Sequence, residues 1–133
     1  SGDWSSDVCS SDLVPAFVQL AALAAITGPQ DHVEETTARL RAKRDKTVAA
    51  LNAMDGVECP TPDGSFYVFP DIRGTGMTAQ QFADYLIENY QVGVVAGSAF
   101  GDQGEGHVRV TYAAPDDVLE EGLDRIRQGV ENL

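Results

Sequence analysis

The sequence predicts an α+β fold: a small antiparallel sheet of about three to four strands, covered by helices on one side. Three observations lead there. Helix and strand signals follow the order ααββαββα, which is not the strict alternation of a parallel α/β sheet. No helix signal separates the strand ending at Val95 from the one beginning at His107, so these two are expected to pair antiparallel, in a meander. A length of 133 residues supports one real core, not two.

The elements follow in order. Pro15–Ile26 reads as a helix that is apolar on every side, and such a helix must be buried or packed on a partner. Thr27-Gly28-Pro29 stops it. A long helix then runs from about Asp31 to Met54, with Val33, Thr37, Leu40, Val48 and Leu51 recurring at steps of three and four or their multiples. Asp31 is its expected N-cap, with Glu34 as capping-box partner. Arg39, Arg41, Lys43, Arg44 and Lys46 cluster on it and read as a solvated face.

Asp55-Gly56 ends that helix. Val57–Cys59 is a short strand, Pro60–Gly64 a turn, and Ser65–Phe69 a strong strand closed by Pro70. Thr78 caps a third helix, with Gln81 at the capping-box position and Phe82, Tyr85 and Leu86 on one apolar face. Val92–Val95 is a strand, Gly97–Gly106 a glycine-rich loop and His107–Ala113 a strand. Pro115 opens the last helix, whose buried face is expected to carry Val118, Leu119, Gly122, Ile126 and Val130.

Composition excludes several functions. Twenty-one acidic against nine basic residues give a formal charge of −12, which repels nucleic acid and anionic lipid, so neither is an expected partner. Cys9 and Cys59 form no CxxC, and His32 and His107 lie far apart, so no metal site is expected. This cysteine usage fits a reducing compartment, the cytoplasm. The longest apolar run, Val14–Ile26, would extend only about 20 Å as a helix, short of a bilayer core. The segment before it is acidic, which is wrong for a signal peptide.

Residues 3–13, DWSSDVCSSDL, have no helical or strand period. Back-translated, they resemble a common short-read sequencing adapter. Residues 1–13 are therefore expected to be a non-native or disordered tail that makes no packed contacts. On that reading the authentic sequence extends upstream of Val14.

Few residues carry chemistry by spacing alone. The loop GSAFGDQGEGH, residues 97–107, lacks the GK[ST] end of a phosphate loop and reads as a flexible connector. In HVRVTYA the pleat puts Val108 and Val110 on one face and Arg109 and Thr111 on the other. Arg109 either points to solvent or has an anionic partner suited to its planar fork. In SFYVF, Ser65, Tyr67 and Phe69 face one way and Phe66 and Val68 the other, as plain core. Lys43 and Lys46, the only lysines, sit in the basic cluster and have no mark of an activated nucleophile.

Four strings, VPAFVQLAALAAI, GPQDHVEETTARLRAKRDKTVAALN, GVECPTPDGSFYVFPDI and VGVVAGSAFGDQGEGHVRVTYA, together resemble in order the C-terminal part of class I/II, fold-type I aminotransferases. Gly64-Ser65-Phe66-Tyr67 matches the family's Gly-x-Phe-Tyr. Ala96-Gly97-Ser98-Ala99-Phe100-Gly101 matches its Pro-Gly-x-x-Phe-Gly, with Ala96 replacing the proline. The resemblance implies a helix over residues 14–30 that would connect to a large domain, and a small C-terminal domain over 31–133. It implies that Arg109 binds the substrate α-carboxylate and that Phe66 lies beside the substrate. It implies a pyridoxal-phosphate enzyme of aspartate or broad-specificity type, a homodimer when full length, acting on amino acids and 2-oxo acids. The cofactor lysine would lie outside this chain. A non-catalytic alternative is the effector-binding, aminotransferase-like half of a transcription regulator.

Overall fold

Proline, glycine and apolar spacing set most element boundaries in a computed structural model that describes residues 14–133. The expectation for residues 1–13 concerns residues outside that range. The chain divides into two compact units within its second helix, one ending at Glu35 and one spanning Thr36–Leu133.

In the first unit, α1 (Ala16–Thr27) follows Pro15 and buries none of its residues. Its end is tied off locally: the Gly28 amide donates to Ala24 O at 2.9 Å, and the Gln30 amide group donates to Ala25 O and Gly28 O. The second helix, α2 (Asp31–Asn52), begins at Asp31 itself. Asp31 therefore sits in the first turn instead of capping it, where its charge still suits the helix dipole.

The second unit holds the core. Thr47, Val48 and Leu51 form the buried stripe of α2. The expected solvated basic face is only partly so: Lys43 is half-buried, donates to Ala114 O and pairs with Asp116 at 3.0 Å. The expected strand at Val57–Cys59 shrinks to one antiparallel bridge between Glu58 and Asp71. The turn at Asp55-Gly56 on one side and Pro60 on the other leave it no length to extend.

Three short strands make the sheet: β1 (Tyr67–Val68), β2 (Val95–Ala96) and β3 (Val108–Thr111). Their order is β1-β3-β2, with both pairings antiparallel. The α+β class holds, but the meander does not. Helix α3 (Ala79–Tyr90) lies between β1 and β2 in the chain, and a helical crossover lets those two strands run parallel with a gap for β3. Tyr67 faces Thr111, and Val95 faces Arg109.

Helix α3 starts with the expected capping box, Thr78 and Gln81 exchanging hydrogen bonds. Helix α4 (Asp116–Glu131) follows Pro115 and buries Leu119, Leu123, Ile126, Gly129 and Val130. Val118 and Gly122 are not on the buried face: Val118 is 55% exposed, because the stripe runs 119-123-126-130. Val68 and Val108 on the inner sheet face join Leu51, Phe82, Leu86, Tyr112 and Ile126 in one core cluster. Helices α3 and α4 and the end of α2 thus cover one face of the sheet. The other face carries Tyr67, Arg109 and Thr111.

Candidate functional site

Alternation along β3 decides which side chains leave the core. Val108 is buried, so Arg109 must emerge on the uncovered face. Its guanidinium carbon lies 4.4 Å from the centroid of the Tyr67 ring and 4.7 Å from that of Phe100. Among the described residues it has no carboxylate partner and no side-chain hydrogen bond. Arg73 is the contrast. Its guanidinium is engaged by the Asp71 carboxylate, which also accepts the Arg73 backbone amide at 2.9 Å. That hydrogen bonding holds the Asp71 carboxyl down to about 2.

Phe66 does not join the core as the strand pattern expects; it is 43% exposed. Ser65 has φ +71°, in the left-handed region, so extended backbone begins only at Tyr67. The Phe66 and Tyr67 rings then come within 4.5 Å of each other instead of parting to opposite faces. This turn is pinned to the end of β3. The Tyr112 hydroxyl donates to Ser65 O at 2.6 Å, and the Tyr112 amide donates to Phe66 O at 3.0 Å. Tyr112 is itself 2% exposed, so a core side chain sets the position of Phe66.

The glycine-rich loop is folded, not an open connector. Residues Gly97–Phe100 and Asp102–Gly104 form two successive 3-10 turns. The Gly97 amide donates to His107 O at 2.8 Å, closing the loop at its base. A Cβ on Gly97 would stand 2.1 Å from Gly104 O, so only glycine allows the two turns to touch. Glu105 accepts the Ala79 amide at 2.9 Å and so fastens the loop to the first turn of α3. Phe69 is stacked on His107 at 5.3 Å and meets Phe100 edge-on at 6.1 Å.

The result is one cation set among aromatic rings on an open sheet face. Two surface clefts lie elsewhere. One is lined by Gly56, Glu58, Asp71, Arg73 and Gly74, and another by Arg41, Arg44, Asp63, Gly64, Ser65 and Tyr112. Arg109 lines neither. Among the described residues no group of His, Cys, Asp and Glu is placed to hold a metal ion, and no helix is long and apolar enough to cross a membrane. A guanidinium with free N–H groups suits a planar anion such as a carboxylate, which takes two parallel hydrogen bonds.

Sequence alternation brings Arg109 and Tyr67 each to a face but does not reveal that they share one. The β1–β3 register does. Phe100 gives no periodic signal because it lies in a loop, and neither does the anchoring role of Glu105.

The sequence model for "Aminotransferase class I and II" matches residues 2–126. An aspartate aminotransferase of Pyrococcus horikoshii is 39% identical over 120 residues, covering 89% of this chain and 31% of the relative. An aspartate/prephenate aminotransferase of Cereibacter sphaeroides is 39% identical over 122 residues, covering 84% and 30%. The crystal structure of the aspartate aminotransferase from Rhizobium meliloti superposes with a TM-score of 0.80 at 36% identity, over 85% of this chain and 30% of that one. The chain therefore spans just under a third of the length of these relatives. With the family's sequence pattern matched along nearly the whole chain and its fold reproduced, the chain belongs to the class I and II aminotransferases.

Proposed function

We propose that this segment holds the substrate α-carboxylate in a pyridoxal-phosphate-dependent amino-acid aminotransferase, with Arg109 as the carboxylate ligand and Phe66 beside the substrate. The observation that carries the reading is Arg109: a cation on an uncovered sheet face, flanked by aromatic rings, with no anionic partner among the described residues. An arginine so placed gains most when an incoming carboxylate takes both N–H groups of its fork. Two bonds also fix the orientation of the substrate, so the contact positions as well as binds.

The cofactor supplies the electron sink for this chemistry when bound. The residues present do not fit it on their own. Lys43 is held by Ala114 O and Asp116, and Lys46 is paired with Glu120, both at the α2–α4 contact. The amine that anchors the cofactor would come from outside this segment, and no step through it belongs to these residues. On this reading the chain of 133 residues retains no cofactor absorbance after pyridoxal phosphate is added and dialysed away. A retained visible band lost on replacing Lys43 or Lys46 contradicts that.

The relatives' names support an aspartate or broad-specificity enzyme that exchanges an amino group between an amino acid and a 2-oxo acid. A cytoplasmic homodimer completes the proposal. The regulator alternative draws no support from those relatives. The test is steady-state kinetics of Arg109→Lys in the full-length enzyme. The charge stays but the fork is lost, and kcat/KM is expected to fall by about 2–4 kcal/mol, the scale of charged hydrogen bonds to a desolvated partner. The loss falls on all amino-acid donors alike, since all carry the α-carboxylate. Activity within about twofold of the parent, or loss for one side-chain class only, overturns the assignment.

A further inference from the structure

Two rings share the Arg109 guanidinium. Tyr67 reaches it from β1 at 4.4 Å, and Phe100 reaches it from the glycine-rich loop at 4.7 Å. A cation over an aromatic face is attracted by the ring quadrupole, and the attraction grows where water is excluded. It makes no demand on the N–H groups, unlike a salt bridge. A carboxylate partner would hold Arg109 equally still but would occupy the fork, as Asp71 occupies that of Arg73.

The placement of Phe100 is built, not incidental. The ring is 54% exposed, so it contributes little to the core, yet the loop that carries it is tied down at several points. Gly97 and Gly104 touch backbone to backbone, the Gly97 amide closes onto His107 O, and Glu105 ties the loop to α3. Phe69 braces the Phe100 ring edge-on, and His107 is stacked on Phe69. Such a scaffold for one exposed ring is explained by what the ring touches.

We propose that Phe100 and Tyr67 are positioning residues: they hold the Arg109 guanidinium over their ring faces and leave its fork free to receive the substrate carboxylate. This rests on the carboxylate reading of Arg109. Neither ring need touch the substrate. Their effect passes through the guanidinium, which without them is free to sample rotamers that miss the carboxylate.

The experiment is a double-mutant cycle in the full-length enzyme, read as kcat/KM for several amino-acid donors. Phe100→Leu should fold, since the ring is largely exposed. It is expected to lower kcat/KM about five- to tenfold, alike for all donors, in keeping with one cation–π contact. Phe100→Tyr, which keeps the ring, restores activity to within about twofold. In the Arg109→Lys background, Phe100→Leu adds less than about twofold, because the fork it positions is already gone. In the 133-residue chain, the Arg109 Nε–H resonance moves in Phe100→Leu, as the Phe100 share of its ring-current shift is lost, and returns in Phe100→Tyr. The inference is overturned if Phe100→Leu costs as much with Lys at position 109 as with Arg, if it stays within twofold of the parent, or if the resonance does not move. An Arg109→Lys enzyme as active as its parent would remove the carboxylate reading itself, a separate result.

Discussion

Asp71 and Cys59 show how environment sets chemistry one residue at a time. Arg73 holds the Asp71 carboxyl to about 2, below its ordinary value of about 4. A depressed carboxyl stabilises the fold above its unfolded value and loses that contribution as pH falls through the folded one. Asp71→Asn is therefore expected to lower stability at pH 7 by no more than about 1 kcal/mol, since Arg73 is mostly exposed. The difference should vanish between about pH 4 and pH 2; urea midpoints at pH 7 and pH 2 check it. Burial pushes the Cys59 thiol up to about 11. In a Cys9→Ser chain, a thiol reagent at pH 8 should not label Cys59 until denaturant is added. At this scale the sequence was partly legible. Alternation placed Arg109 away from the core, but the same rule failed one strand away, where the left-handed Ser65 breaks the pleat and exposes Phe66. A positive φ at a serine leaves no trace in an alternation pattern.

Helices were the most legible elements, because their period and caps are local. The Thr78–Gln81 box stands where the residues put it, and Thr78→Ala should cost about 1 kcal/mol in thermal or urea unfolding. Strands were less legible. Two-residue strands such as β1 and β2 are defined by their partners more than by their own residues. The glycine-rich loop was the least legible, since glycines read equally as freedom or as close approach. Gly97→Ala separates the two readings. A Cβ there meets backbone oxygens of Gly104 at 2.1 Å and His107 at 2.6 Å, neither of which can yield cheaply. A loss of about 3 kcal/mol or more is expected, with the Arg109 resonance disturbed as well. A loss below 1 kcal/mol would mean the turns tolerate separation.

At the scale of the whole molecule, α1 exposes an unusual share of apolar surface: Phe17 is 73% exposed, Leu20 67% and Ile26 77%. The isolated chain should associate with rising concentration in light scattering, and Leu20→Glu should suppress this. A strictly monomeric profile in the parent would count against it. The layer arrangement was legible, because every helix after α1 carries one apolar stripe. The strand order was not, because sequence order hides which strand is central. That central position has a consequence for synthesis. Strand β3 follows β1 and β2 in the chain and pairs with both of them. Until Val108–Thr111 emerges, β1 and β2 have no partner in the sheet, and each shows a bare edge. The nascent segment can form its helices early but must delay its sheet, a non-local closure that slows folding. Emergence of Val108–Thr111 should thus act as a single committing event for the sheet.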